Sequence, residues 1–397
     1  MEGNSALLTG SQLAEMAIAS LPFNPLEGQA LAIYKMAEYV TAGMWRDVFV
    51  LNGYAGTGKT SVIAALIKAL SHCRIKSVVL APTGRAAKVA AAMAQKQAST
   101  IHRRIYHVET ANGEMSVKLS ANRDQNTVFI VDEASLITDS NRGSLLRDLI
   151  RYVYSGQGCK MILVGDTAQL PPVGQSDSPA MNLERLKQLG LAPFSHTLDV
   201  PVRQAAESGI LYNATIVRQI LEKLQNVEPS GIEEGQLPLK LDGFPDMQAV
   251  SSMDIADELS TSWSTVGPEE TLIVTRSNGR ANRFNQAIRN MVMYAEEPLQ
   301  QGDRLVIAKN DYYWGRQNKM KTFLANGETV TVKWVGRPEK RYGRWFVDTE
   351  LSLGDGQEMN AKVMLRSLMA EGPAIPRMEM EQFFQHVINE EEGSGPT

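Results

Sequence analysis

Residues 47–61 read DVFVLNGYAGTGKTS. The apolar run Asp47 to Leu51 has the length and composition of a buried strand, and a glycine-rich turn follows it. Ser61 to Leu70 then has the apolar spacing of a helix. The pattern G-x-x-x-x-G-K-[ST] is met by Gly53, Gly58, Lys59 and Thr60. In such a loop the glycines let backbone N–H groups close around phosphates, the lysine reaches the β and γ phosphates, and the hydroxyl ligates Mg²⁺. Ala55, Gly56, Thr57 and Ser61 belong to the same wrap, and the following helix turns its positive end to the anion. A strand before the pattern and a helix after it are the context that makes the reading specific. ATP and Mg²⁺ are therefore the expected ligands.

Working outward, the same alternation recurs. Lys76 to Leu80 is a second apolar run, ending in APTGRAAK and an alanine-rich helix. Thr127 to Val131 is a third, ending on Asp132-Glu133. Met161 to Val164 is a fourth, ending in GDTAQLPP. Strands alternating with helices predict a parallel sheet covered on both faces, with ligands at the carboxyl ends of its strands. The fold expected is α/β, a RecA-like P-loop sheet. Downstream of the loop, Asp132 suits Mg²⁺ ligation and Glu133 the orientation or deprotonation of the attacking water. Gln169 in GDTAQLPP suits either a γ-phosphate sensor or an ordinary proline-stiffened turn, and Arg203 either a contact to phosphate charge or a surface ion pair.

Between the second and third runs, residues 104–124 hold Asn112-Gly113 amid apolar and β-branched residues, which predicts an inserted hairpin. Arg203 to Gln225 and Ile255 to Ser262 read as helical, Thr271 to Val274 as a strand and Asn282 to Arg289 as a helix, the start of a second αβ unit. From Leu299 to Leu365 short alternating runs are split by glycines, as in a small β-barrel. The expected organisation is a first ATPase domain over 1–200, a partial second RecA-like domain over 201–297, a barrel over 298–366, and a C-terminal segment over 367–397 that is disordered from Asn389.

The chain has 397 residues, of which 43% are hydrophobic and 21% charged, with a net charge of −4. That balance is a soluble globular one and lacks the overall basic signature of many nucleic-acid binders, so any such contact needs a local groove. No apolar run approaches the roughly 18 residues of a membrane span. Cys73 and Cys159 are the only cysteines, and with no signal-like N-terminus the expectation is a cytoplasmic, intracellular protein without membrane contact.

Taken in order, GYAGTGKT, APTGRAAKVA, STIH at Ser99 to His102, FIVDEAS, VGDTAQLPPVG and the VRQ around Arg203 resemble a superfamily 1B DNA helicase of the RecD and Dda type. The resemblance continues weakly through IVTRSNGRANRFNQAIR and the barrel with its LANGE. It implies that Gln29 reads the adenine and that Gln169 and Arg203 sense the γ-phosphate. It implies that Pro82, Thr83, Thr100 and His102 lie along single-stranded DNA, with Arg85 neutralising phosphate and Asn278 in a later DNA-facing motif. The hairpin at Asn112-Gly113 would be the strand-separating pin, and movement would be 5′ to 3′. Such helicases close with a T-x-H-K-S-Q-G segment and an arginine in a T-R-A context, and neither occurs before Thr397. Such an arginine is worth about 10³ to 10⁵ in rate. The expectation is thus a helicase or translocase in a truncated form, or an ATP-gated single-strand binding module completed by a second chain. No residue in the sequence reads a 2′-hydroxyl, so DNA and RNA stay undistinguished here.

Overall fold

The computed structural model describes residues 8–392 except 112–113, 140–143, 173, 201–207, 226–238, 269, 309–310, 312–313, 315–323, 325–326, 355 and 371–374. The chain divides into two compact units, residues 1–248 and 249–397.

The first unit is built on a six-stranded parallel sheet in the order β3-β2-β6-β7-β1-β8. Its strands are β1 (Asp47–Gly53), β2 (Lys76–Ala81), β3 (Ala98–Thr100), β6 (Thr127–Val131), β7 (Lys160–Gly165) and β8 (Ala192–Leu198). The runs read as buried strands are β1, β2, β6 and β7, and β1, β6 and β7 are buried along almost their whole length. Alternation explains why they read as unbroken apolar stretches. Phe49, Leu51, Val128, Ile130, Ile162 and Val164 point into one core with helices α1 (Gly10–Ala19), α2 (Glu27–Ala42), α3 (Lys59–His72) and α4 (Gly84–Ala94). Val48, Val50, Phe129, Val131, Met161 and Leu163 point into the other, against α5 (Ile101–Ile105), α6 (Leu145–Ser155) and α7 (Leu183–Gln188). Both faces of a parallel sheet need such cover.

Tyr106 to Ala111 (β4) and Glu114 to Leu119 (β5) form the expected antiparallel hairpin; its Asn112-Gly113 turn lies outside the described residues. Helix α8 (Gly209–Gln225) closes this unit. Asp246 caps its start, accepting from the Gly209 N–H at 2.7 Å and the Ser208 hydroxyl at 2.6 Å.

The second unit contains helices α9 (Ile255–Thr265), α10 (Asn278–Met291) and α11 (Arg377–Glu392). It also has a five-stranded antiparallel sheet of β9 (Arg304–Val306), β10 (Thr329–Val335), β11 (Glu339–Arg341), β12 (Arg344–Leu353) and β13 (Glu358–Met364). Its core is Leu299, Leu324, Val330, Val332, Val347, Leu351, Met359 and Ala361, with Trp314 packed against it. Tyr342 and Gly343, both at positive φ, turn the basic run between β11 and β12, as a two-residue hairpin requires. Arg289 of α10 pairs with the buried Asp303 at 2.9 Å.

Two expectations are corrected here. Residues 271–274 are not a strand: no ladder partner lies beside them among the described residues, and Leu272 and Val274 stay 72% and 86% exposed. The described part of this unit accordingly holds no second parallel sheet. Residues 389–392, expected to be disordered, continue α11, whose aromatic Phe383 packs on Tyr342 and Phe346 at 6.1 Å.

The fully buried Phe129, edge-on to Tyr152 at 6.0 Å, sits in the middle of the parallel sheet. Phe129→Ala is expected to cost about 3–5 kcal/mol, read as a lowered urea midpoint for the first unit. A midpoint within error of the parent would contradict this placement of the core.

Candidate functional site

Parallel pairing puts the carboxyl ends of β6, β7 and β1 side by side. After Gly53 the chain turns through Tyr54–Gly58 and enters α3 at Lys59. Gly56 and Gly58 sit at φ +74° and +84°, a region that L side chains rarely adopt. The Thr57 hydroxyl donates to the Tyr54 carbonyl at 2.8 Å and the Tyr54 N–H donates to Leu198 at 3.2 Å, fixing the turn to β8. Gln29, 2% exposed, donates its side-chain amide to the Thr57 carbonyl at 2.9 Å and accepts from the Leu26 N–H at 3.0 Å. The residue expected at the adenine is thus wedged between the start of α2 and the loop.

Lys59 Nζ donates to the carbonyls of Gly53 and Tyr54, the latter at 3.1 Å, and lies 3.8 Å from the Asp166 carboxylate. Its aliphatic stem runs against Gly53, where a Cβ would come within 2.6 Å of Lys59 Cγ. Burial pulls the ammonium below its ordinary pKa, and Asp166, Glu133 and Asp132 oppose that. A cation so desolvated, at the mouth of a loop of glycines, suits an anion.

Asp132 and Glu133 follow β6. Glu133 is at φ +52°, a left-handed conformation that costs a non-glycine residue roughly 1–3 kcal/mol. Its N–H donates to Asp132 Oδ1 at 2.9 Å. Burial raises the pKa of both carboxyls; Asp132 raises Glu133 further, while Lys59 and a hydrogen bond with Gln169 pull it back. Gln169 is therefore among the groups that hold the Glu133 carboxyl down. It is carried there by the turn at the end of β7, where Asp166, 4% exposed, accepts from the Ala168 N–H at 2.9 Å. Thr60 and Asp132 are the polar members of one small, mainly apolar cavity enclosed by α3, α4, β2 and β6. No group of three or more His, Cys, Asp or Glu among the described residues forms a metal cage. A Mg²⁺ bound through Thr60 and Asp132 would take its other ligands from phosphate and water, as this ion commonly does. Ala55 and Gly56 are exposed on the loop and Ser61 is half-buried in the first turn of α3. Arg203 lies outside the described residues.

One supporting residue carried no sequence signal. Asp139 sits beyond the acidic pair with its side chain 1% exposed, bonded to Arg185 at 2.5 Å and Arg147 at 3.2 Å. Its carbonyl accepts from Gln175 at 2.7 Å. The segments after Glu133 and after Gln169 are thereby tied together.

The residues expected along a nucleic acid fall at the neighbouring ends of β2 and β3, where Ala81 is level with Thr100. Thr83 caps α4, accepting from the Ala86 N–H, and Thr100 caps α5, accepting from the Arg103 N–H, each at 3.2 Å. Pro82 is half-buried and Arg85 exposed. His102 packs at 5.7 Å from Tyr106, and burial lowers its pKa. The Tyr106 hydroxyl donates to Asp148 at 2.7 Å. Asn278 is exposed at the start of α10 in the second unit.

A glycine loop with its lysine, an acidic pair and a glutamine-bearing turn at adjoining strand ends define a P-loop nucleotide site. The AAA domain family matches residues 29–209, which hold that site. The ATP-dependent RecD2 DNA helicase of Deinococcus radiodurans is 31% identical over 176 residues, covering 42% of this chain and 21% of that protein. An uncharacterized protein of Methanocaldococcus jannaschii is 32% identical over 159 residues, covering 36% of this chain and 13% of that protein. The Pif1 helicase of Candida albicans superposes with a TM-score of 0.35 at 15% identity, over 86% of this chain and 78% of that one. Over these residues the chain is thus similar to the AAA domain family and to part of the RecD2 helicase, in line with its motifs. It spans 21% or less of the length of the two matched curated proteins. Among the described residues no helix is long and apolar enough to cross a membrane.

If Glu133 acts as the base, its raised pKa moves the acidic limb of kcat/KM above the ordinary glutamate range, near pH 4.3. Activity is lost as pH falls through that limb, because the carboxyl protonates. Asp166 adds to the shift, so Asp166→Asn is expected to move the limb to lower pH. A limb unmoved in that variant would remove Asp166 from the electrostatics of Glu133.

Proposed function

We propose that this chain hydrolyses ATP to move along single-stranded DNA, as the motor part of a helicase acting 5′ to 3′. The observation that carries the reading is the convergence of Lys59, Asp166, Asp132, Glu133 and Gln169 at three adjoining strand ends, in a sequence related to RecD2 helicase. In this reading the loop amides and Lys59 bind the β and γ phosphates, while Gln29 and the adjoining chain receive the adenine. Thr60 and Asp132 would hold Mg²⁺, which would supply charge neutralisation for the phosphates. Glu133 orients the attacking water and takes its proton, and Gln169, already bonded to Glu133, reports the γ-phosphate to the base. Arg203 adds a cation on that phosphate.

The nucleic-acid path runs over Pro82, Thr83, Arg85, Thr100 and His102. Thr83 and Thr100 both spend their hydroxyl oxygens on helix caps, and Thr100 is only 5% exposed, so the half-buried Thr83 is the side chain of the two that a strand can reach. Asn278, in the second unit, is a further candidate nucleic-acid contact, and the β4–β5 hairpin serves as the separating pin. The organisation proposed is an ATPase domain to residue 200, onto which α8 packs back, a second RecA-like portion within 201–297 and the small β-domain over 298–366.

A second reading is an ATP-gated single-strand clamp with little turnover, completed by another chain. It is favoured by the lack of a second parallel sheet among the described residues. Steady-state ATP hydrolysis with and without single-stranded DNA separates the two. The motor reading expects stimulation of at least about tenfold, and a loss of roughly 10²-fold or more in Lys59→Ala and Glu133→Gln. Tight DNA binding that depends on ATP without such stimulation would support the clamp. Absence of nucleotide binding would sink both.

A further inference from the structure

The loop that binds phosphate is held from two sides. One is the sheet and Gln29, described above. The other is α8. A Cβ added to Gly56 would lie 3.0 Å from a methyl carbon of Leu211, so this helix lies directly over the crest of the loop. Two turns further on, the guanidinium carbon of Arg218 sits 4.2 Å from the centre of the Tyr54 ring. Arg218 is only 9% exposed, and its Nη2 donates to Thr215 at 3.1 Å. Among the described residues no carboxylate lies within ion-pair distance of it.

A buried arginine is costly unless a counter-charge or a π face receives it. Here the receiving face is the side chain of the second residue of the phosphate loop. Tyr54 is also one of the two residues whose carbonyls hold Lys59. When Lys59 turns from those carbonyls to a phosphate, the loop loses its own tie to the lysine. The grip of α8 on the Tyr54 ring then acts beside the Thr57 and Leu198 bonds to keep the loop in shape.

We propose that Arg218 is a positioning residue for nucleotide binding: by stacking on Tyr54 it preorganises the phosphate loop, and α8 acts as the loop's outer brace. Arg218 works through Tyr54 and does not touch the nucleotide. Its cationic charge, stacked on a residue of the anion-binding loop, strengthens the same effect. The proposal rests on the P-loop being a nucleotide site.

The test is a double-mutant cycle on the full chain, read as the Kd of a fluorescent ADP, with no DNA present. The variants are Arg218→Ala, Arg218→Lys, Tyr54→Leu, Tyr54→Phe, and Arg218→Ala combined with Tyr54→Leu. Thermal unfolding of each without nucleotide is measured beside it. The expectation is that Arg218→Ala and Tyr54→Leu each weaken binding roughly 3- to 30-fold, the range of a partly desolvated cation–π contact. The double variant should be little worse than either single one. Tyr54→Phe keeps the ring and should bind within about twofold of the parent, with Arg218→Lys intermediate. In steady-state hydrolysis the loss should fall on KM, with kcat changed less. Additive losses, or lowered unfolding temperatures with Kd unchanged, would overturn the proposal and leave the pair a packing contact. If the parent binds no ADP, or Lys59→Ala binds it as well as the parent, the nucleotide site itself has failed rather than the brace.

Discussion

The register of the parallel sheet is the constraint on which the site depends. Asn52 lies level with Gly165, and Val131 with Leu163. With those rows fixed, Gly53 emerges level with Asp166, and Asp132 two rows back, level with Val164. Slipping one strand by a residue would turn its apolar side chains to the wrong core, because alternate residues of β1, β6 and β7 feed different faces. The two hydrophobic cores therefore hold the catalytic rows in place. Stability and chemistry are coupled through the same few strands, and the loops at their ends inherit the precision.

Much of this is legible in the sequence, for a physical reason. β1, β6 and β7 are central and buried on both faces, so they must be continuous apolar runs, and each ends on a polar signature. Strands without that burden leave weaker marks. β3 has three residues, Ala98–Thr100, and β8 is half-exposed along APFSHTL, so neither carries a strand pattern of its own. They are ordered by pairing with β2 and β1. Conversely, Thr271 to Val274 looks like a strand, but an apolar β-branched run becomes one only where a partner edge is offered. Asp139 and Arg218 were illegible because their roles arise from contacts 36 or more residues away in sequence: Asp139 with Gln175 and Arg185, Arg218 with Tyr54.

The motif residues also show how one side chain serves two tasks. Gln29, Thr83 and Thr100 each hold local backbone in place before any ligand arrives. A side chain fixed by such a bond keeps its position at little further entropic cost when a partner binds, which is the advantage of preorganisation. Glu133 shows the opposite economy: its left-handed backbone is strained, yet that turn lets its N–H bond Asp132 while its carboxylate meets Gln169. Strain of this kind is tolerated where the surrounding sheet over-determines the backbone.

Charge balance then decides what the site still requires. Within the described residues, Lys59 is the single cation that Asp132, Glu133 and Asp166 face. Burial raises the pKa of Asp132 and Glu133, which lessens their repulsion, but it equally weakens Lys59. A triphosphate brings more negative charge into the same volume, so lysine alone leaves the bound state and, more acutely, the transition state under-compensated. In the proposed reading, a divalent cation on Thr60 and Asp132 would answer part of that deficit. A guanidinium answers more, because it carries its charge at every relevant pH and spreads it over a planar fork. Arg203 is the sequence's candidate for direct contact. Arg218 already contributes from behind Tyr54, where its field reaches the loop without competing for the phosphate oxygens. The loop thus has a cation in front and another behind, and only the front one must move when nucleotide binds.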